Sequence, residues 1–162
     1  MPRFVSIYVL MTSLKRTNSD NQDFQFLINE LDLALCELYG TKQEDYAAYN
    51  KITGLNTVVV AYLNDEAVGC GCFKEFDQNT IEIKRMYVLP PYRNKGIARN
   101  ILSELENWGA QLGNSFSILE TGKEQKAAIA MYQQMGYEPI PGYNAYDALE
   151  ISRCFKKNLI GV

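Results

Sequence analysis

The chain has 162 residues, 47% of them hydrophobic and 22% charged, with a net charge of -3 and no histidine. This balance predicts one globular domain, residues 1–162, rather than a disordered segment, and the acidic sum weighs against a nucleic-acid partner, whose phosphates need excess Lys and Arg. Without histidine, Ser-His and Cys-His nucleophilic pairs are excluded, and acid-base work falls to Glu, Asp, Tyr, Lys, Cys or water.

The opening MPRFVSIYVLM is apolar but too short for a bilayer, which takes about 20 residues, and it lacks a small-residue cleavage site. It is expected to be a strand or an appended extension over residues 1–11, with no membrane attachment. An apolar edge of this kind leaves a homo-oligomer open. The polar run TSLKRTNSD follows.

Ser19 with Gln22 three residues on has the form of a capping box, and Phe24, Leu27, Ile28, Leu31, Leu35 and Leu38 keep helical spacing as far as Gly40. A weaker helical stretch, QEDYAAYNKI, leads to Gly54. TVVVAYL and AVGCGCFKEF, joined by Asn64 and Asp65, predict a hairpin. The alternating small residues Gly69, Cys70, Gly71 and Cys72 predict close packing. A turn at Asp77 to Asn79 precedes the strand TIEIKRMYVL.

Ile97, Ile101, Leu105, Trp108 and Leu112 then mark one face of a helix that stops at Gly113, and SFSILE predicts a strand. Ala128, Met131, Tyr132 and Met135 mark a further helix ending at Gly136, with strands expected around Tyr137 and from Ala148 to Phe155. The mixture, without repeats or a linker, predicts an α+β fold. Cys36, Cys70, Cys72 and Cys154 form no CxxC pair, so neither a zinc site nor a disulfide framework is expected, and a reduced, cytoplasmic setting suits them.

Between Glu82 and Glu104 the chain has no acidic residue, while Lys84, Arg85, Arg93, Lys95 and Arg99 supply five positive charges. They fall where a strand hands over to a helix, and the free N-H groups and positive dipole end of a helix start favour an anion such as phosphate. Gly96 lets a phosphate approach the backbone, Ala98 keeps the next position small, and Pro90 and Pro91 end strand pairing. Two other glycine patterns fail as phosphate motifs: Gly122-Lys123 lacks the earlier glycine and the following Ser or Thr, and Gly69-x-Gly71 lies inside a strand.

Arg93-Asn94-Lys95-Gly96-Ile97-Ala98 resembles the R/Q-x-x-G-x-G/A acyl-CoA loop of the GCN5-related N-acetyltransferase (GNAT) family, and Ala128 to Tyr137, AIAMYQQMGY, is similar to the family's later A-I-x-L-Y-x-x-x-G-F/Y segment. The two motifs, with the helices and strands before them, extend the resemblance over roughly residues 12–157. It implies a mixed, mostly antiparallel central sheet flanked by helices and splayed at the acyl-CoA strand. It implies acetyl-CoA as co-substrate, loop amides (Arg93 to Ala98) on its pyrophosphate, and Met86, Tyr87 and Val88 along its pantetheine arm. No metal is expected.

The resemblance also implies direct acetyl transfer to a primary amine of a small molecule or peptide. Glu82, eleven residues before Arg93, stands where some members carry a general base, and on a regular strand it would share a face with Lys84, Met86 and Val88. Tyr132 matches the family's tyrosine near the CoA sulfur, protonated at neutral pH and able to donate to a thiolate. Gln125 replaces the asparagine that many relatives place on the CoA arm. Glu120 is an alternative base, Thr121 lies beside it, and Tyr39, Tyr46, Tyr49, Tyr143 and Tyr146 are candidate acceptor walls. An acyl-CoA-binding module without catalysis would need the loop but neither Glu82 nor Tyr132.

Overall fold

The computed structural model describes residues 12–42, 52–143 and 151–160. The expectations for residues 1–11, for a helix over 43–51, for Tyr46, Tyr49 and Tyr146, and for the start of the last strand lie outside those residues. Within the described residues seven strands form a single sheet: β1 (Thr12–Thr17), β2 (Val58–Leu63), β3 (Glu66–Asp77), β4 (Thr80–Val88), β5 (Phe116–Gly122), β6 (Glu138–Ile140) and β7 (Ser152–Asn158). Their spatial order is β1-β2-β3-β4-β5-β7-β6, and every neighbouring pair is antiparallel except β4 and β5. The expected mixed, mostly antiparallel sheet is therefore present.

Among the described residues three α-helices flank it: α1 (Gln22–Tyr39), α2 (Ile97–Gln111) and α3 (Lys126–Gln134). α1 ends where the sequence predicts, with Gly40 in the left-handed region at φ 62° and its N-H on the Cys36 carbonyl. Its start differs from expectation. Asn21, not Ser19, is the N-cap, its side chain accepting from the Phe24 N-H at 3.0 Å. Ser19 is instead buried and pairs with Leu55 on both sides, N-H to carbonyl at 2.8 Å and Leu55 N-H to hydroxyl at 3.0 Å. The apolar stripe also stops short of both predicted ends, since Leu38 and Leu112 are exposed.

β1 was not legible in the polar run that forms it; its residues are mostly exposed and it is held by pairing along β2 from Thr12–Leu63 to Thr17–Val58. The β2-β3 hairpin turns at Asn64 and Asp65, both at positive φ (49° and 66°), the conformation of a type I′ turn that these residues tolerate well.

The sheet has an apolar cluster on each face. On one, Phe24, Leu27 and Leu31 of α1 meet Val58, Val60, Cys70 and Cys72; on the other, α2 lays Ile101, Leu102 and Leu105 against Val59, Ile81 and Ile83. The run from Gly69 to Cys72 serves both. Its glycines let α2 approach, because a Cβ at Gly71 would lie 2.5 Å from the Met86 sulfur and 3.0 Å from Ile101 and Leu105. Its cysteines face α1, and their thiols donate to the carbonyls of Arg85 and Lys84 at 3.4 and 3.3 Å.

Candidate active site

Parallel pairing between β4 and β5 runs only from Thr80–Phe116 to Ile83–Leu119. β4 continues to Val88 and β5 to Gly122, each still paired on its other edge, so past that point the two strands no longer pair with each other. A cleft of about 460 Å³ lies there, and its walls come from α1, β3, β4, β5, α3 and Tyr143. The predicted site residues Glu82, Met86, Gln125 and Tyr132 all line it, as do Glu120 and Thr121. Tyr87, Val88 and the residues of the Arg93 loop do not.

The backbone of β4 departs from the regular strand assumed for Glu82. Cys72 pairs with Lys84 and Cys70 with Tyr87, so two residues, Arg85 and Met86, oppose the single Gly71. This is a β-bulge, and Arg85 sits in it at φ 59°, a left-handed conformation unusual for a long side chain. The extra residue reverses the alternation. Ile81 and Ile83 before it, and Met86 and Val88 after it, pack on the α2 face; Tyr87 joins the α1 face. Glu82 and Lys84 therefore share a face with Tyr87, and the expected common face with Met86 and Val88 is corrected. Met86 reaches the cleft from the opposite side of the strand.

Arg85 is drawn to α1, where its guanidinium meets the Asp32 carboxylate at 2.8 Å and the Ile28 carbonyl at 3.2 Å. With Asp32 neutralising Arg85, and Arg99 donating to Gln134, the five-cation cluster read from the sequence is divided. Lys84 and Arg85 belong to the cleft, and Arg93, Lys95 and Arg99 to the loop and first turn of α2.

Glu82 is 5% exposed and enclosed by three groups. Its Oε2 accepts from the Tyr143 hydroxyl at 3.0 Å, and its Oε1 lies 3.7 Å from Lys74 Nζ and 3.9 Å from Lys84 Nζ, ion-pair separations beyond hydrogen-bond length. Tyr143 is itself braced edge-on by Phe76, with ring centres 5.4 Å apart. Burial first, then the Glu82 charge, pushes its phenol well above the usual value, so it remains a donor. Of the other predicted tyrosine walls, Tyr39 packs at the end of β5, its hydroxyl filling the space that a Cβ on Gly122 would need. Across the gap, Glu120 Oε2 accepts from Ser152 Oγ at 3.2 Å and Cys154 Sγ at 3.5 Å.

Tyr132 lines the cleft from α3 while packing into the α2-side core, edge-on to Tyr137 at 5.8 Å. Burial pushes its phenol well above the usual value, so it keeps its proton across the neutral range. The motif's final tyrosine has a different occupation. Tyr137 donates to Glu106 Oε2 at 2.9 Å and shares a 2.8 Å hydrogen bond with Ser117, while Lys157 holds Glu106 Oε1 at 2.9 Å. This buried network ties β5 and β7 to α2. Gln125 is the N-cap position of α3, with no capping bond from its side chain.

In the loop, Pro90–Tyr92 forms a single 3-10 turn and Arg93 folds back, donating from Nε to the Val88 carbonyl at 2.8 Å and lying 5.5 Å from the Tyr87 ring centre. Asn94 and Gly96 are both at positive φ, 62° and 81°. Gly96 is the N-cap of α2 without any side-chain cap, and a Cβ built there would meet nothing within 4 Å. The first turn of α2 thus opens onto unfilled space beside exposed Arg93 and Lys95, a helix start at which an anion is favoured.

A sequence model of the acetyltransferase (GNAT) family matches residues 24–137, a span running from α1 to Tyr137. An IAA acetyltransferase of Azospirillum brasilense is 30% identical over 141 residues, covering 82% of this chain and 88% of its own. Among solved structures, a protein of Klebsiella pneumoniae designated an acyl-CoA N-acyltransferase superposes with a TM-score of 0.75 at 26% identity, over 93% of this chain and 99% of that one. A PaiA N-acetyltransferase of Thermoplasma acidophilum in complex with coenzyme A has the same fold, with a TM-score of 0.69 at 15% identity over 92% and 99% of the two chains.

Proposed function

The chain belongs to the acetyltransferase (GNAT) family, and on that premise we propose that it moves an acetyl group from acetyl-CoA directly to a primary amine of a small molecule or peptide. The observation that carries the reading is the meeting of Glu82, Met86 and Tyr132 in one cleft, at the point where β4 and β5 stop pairing. When bound, acetyl-CoA supplies the thioester whose C-S bond breaks as the new C-N bond forms.

The chain's own groups then have separate tasks. The amides at the start of α2, with Arg93 and Lys95 beside them, hold the diphosphate; Met86 borders the arm, and Gln125 contacts it from the cap of α3. Glu82 takes the proton that the amine nitrogen loses, and Tyr132 gives its proton to the departing sulfur, after which solvent restores both. Tyr143 positions Glu82 by holding one carboxylate oxygen. Neither thiol of β3 acts as an acyl carrier: burial pushes Cys72 up to about 12 and Cys70 higher still, so neither is a thiolate at neutral pH.

The test is thiol release from acetyl-CoA over a panel of amines, with Glu82→Gln, Glu120→Gln and Tyr132→Phe alongside wild type. Glu82→Gln should abolish the rise of rate with pH that a carboxylate base imposes, and Tyr132→Phe should lower turnover while sparing acetyl-CoA affinity. A pH profile lost in Glu120→Gln but kept in Glu82→Gln would move the base to β5. Tight acetyl-CoA binding without turnover of any amine would make the chain a binding module.

A further inference from the structure

We infer that the acceptor is a free amino acid, an amine carrying a carboxylate on the adjacent carbon, with Lys84 as the residue that selects it. The inference rests on the reading of the cleft as the acceptor site. It comes from what the parting strands do to charge. The last residues paired across this gap are Ile83 and Leu119, so Lys84 on β4 and Glu120 on β5 are the first on each strand beyond that ladder, and both line the cleft. By alternation their side chains share the face opposite Ile83 and Leu119, which pack on the α2 side. One lip of the gap is cationic and the other anionic.

Continued pairing would set the two strands about 4.8 Å apart and let such a pair neutralise itself. The splay widens that interval. Lys84 is 18% exposed, yet its nearest carboxylate oxygen among the described residues, Glu82 Oε1, is 3.9 Å away and is shared with Lys74 at 3.7 Å. An ammonium withdrawn from water to this degree, with no hydrogen-bonding anion among the described residues, calls for one. Arg85, the third cation of the cleft, is already matched by Asp32 at 2.8 Å. Glu82 is therefore left to face Lys84 and Lys74 together, at separations beyond hydrogen-bond length from both.

An amino acid answers both lips at once. Its carboxylate meets Lys84 on the side away from Glu82, and its amine lies in the gap between Glu82 and Glu120, where Glu82 receives the proton. A simple alkylamine or a peptide N-terminus would bring the amine without the adjacent carboxylate and leave Lys84 as it is.

The experiment compares amino acids with their decarboxylated amines and their methyl esters, phenylalanine against 2-phenylethylamine for example, across the common side chains. The readout is thiol release, in wild type, Lys84→Met and Lys84→Arg. Wild type should favour the amino acid in kcat/KM by about tenfold to a hundredfold, the range a charge-assisted hydrogen bond supports. Lys84→Met should collapse that ratio toward one through the amino acid's KM, and Lys84→Arg should restore part of it. If Lys84→Met fails to fold, as judged by acetyl-CoA binding, Lys74→Met should narrow the ratio instead. Equal or better turnover of the decarboxylated amines by wild type, or a ratio unmoved in Lys84→Met, would overturn the inference and leave the acetyltransferase reading standing. Silence toward every amine despite acetyl-CoA binding would overturn both.

Discussion

Replacing Gly96 by alanine separates two reasons for a glycine at the start of α2. Gly96 sits at φ 81° and ψ 7°, where an L-residue with a Cβ costs roughly 1–2 kcal/mol. Part of that is offset, by about 0.4–1 kcal/mol, because alanine restricts the unfolded chain. The added Cβ meets nothing within 4 Å, so no clash term is added, and the net loss is about 1 kcal/mol. In a chain of this length that lowers Tm by about 2–4 °C. The same methyl would stand in the space proposed for the diphosphate. Displacing one charge-assisted bond to a first-turn amide costs about 1.5–3 kcal/mol, or roughly 10- to 100-fold in acetyl-CoA affinity. Calorimetric titration and thermal melting of the same protein read the two effects separately. Gly96→Asn completes the design: asparagine tolerates the left-handed region, so Tm should stay near wild type while acetyl-CoA affinity falls at least as far as in the alanine variant. A full drop in Tm with acetyl-CoA affinity within twofold of wild type would refute the placement of the diphosphate against this turn.

Tyr143→Phe removes the donor on Glu82 Oε2 but keeps the ring against Phe76; turnover should fall about tenfold with the KM for acetyl-CoA unchanged, and a change confined to that KM would remove Tyr143 from its positioning role. Tyr137→Phe leaves Glu106 and Ser117 each short of a buried partner; unfolding in denaturant should show a loss of about 1–3 kcal/mol, whereas an unchanged midpoint would mean that the network stabilises little. The buried Cys72 thiol makes stability depend on alkali. Its folded value is raised from 9.0 to about 12, so its contribution is fully present below pH 9 and is lost as pH rises from there toward 12. Each such group gives a slope of about 1.4 kcal/mol per pH unit over that window. Cys72→Ala should have a correspondingly shallower decline in denaturant melts between pH 9 and 11, and parallel curves for the two proteins would contradict the burial argument.

What the sequence made legible is what short-range chemistry dictates. Asn64-Asp65 marks its hairpin because both residues accept positive φ, Gly40 marks the end of α1 for the same reason, and Pro90 to Ala98 marks the strand-to-helix passage through its own prolines and glycine. Glu82, Tyr132 and Gln125 were found together through the family's motifs, and the cleft does bring them together. The losses have a different origin. β1 is a strand by virtue of β2 alongside it, and nothing in Thr12–Thr17 carries an apolar alternation. The bulge at Arg85 is set by what lies across from it, with no glycine or proline of its own to announce it. Tyr143 reaches Glu82 across 61 positions, a contact made by tertiary packing alone. Ser19 was given a capping role on spacing that Asn21 fulfils two residues later.

The bulge turns β4 into a strand with two phases, like a text read in one frame as far as Lys84 and in another from Met86 onward. Apolar side chains are required at odd positions upstream, 81 and 83, and at even positions downstream, 86 and 88. Deleting Arg85 would close the two frames into one regular alternation, with Met86 and Val88 still beneath α2 and Tyr87 still toward α1, and would remove only the guanidinium's tie to Asp32 and Ile28. The extra residue thus serves its own side chain, carrying Arg85 to α1 while every neighbour keeps the face that a regular strand would give it.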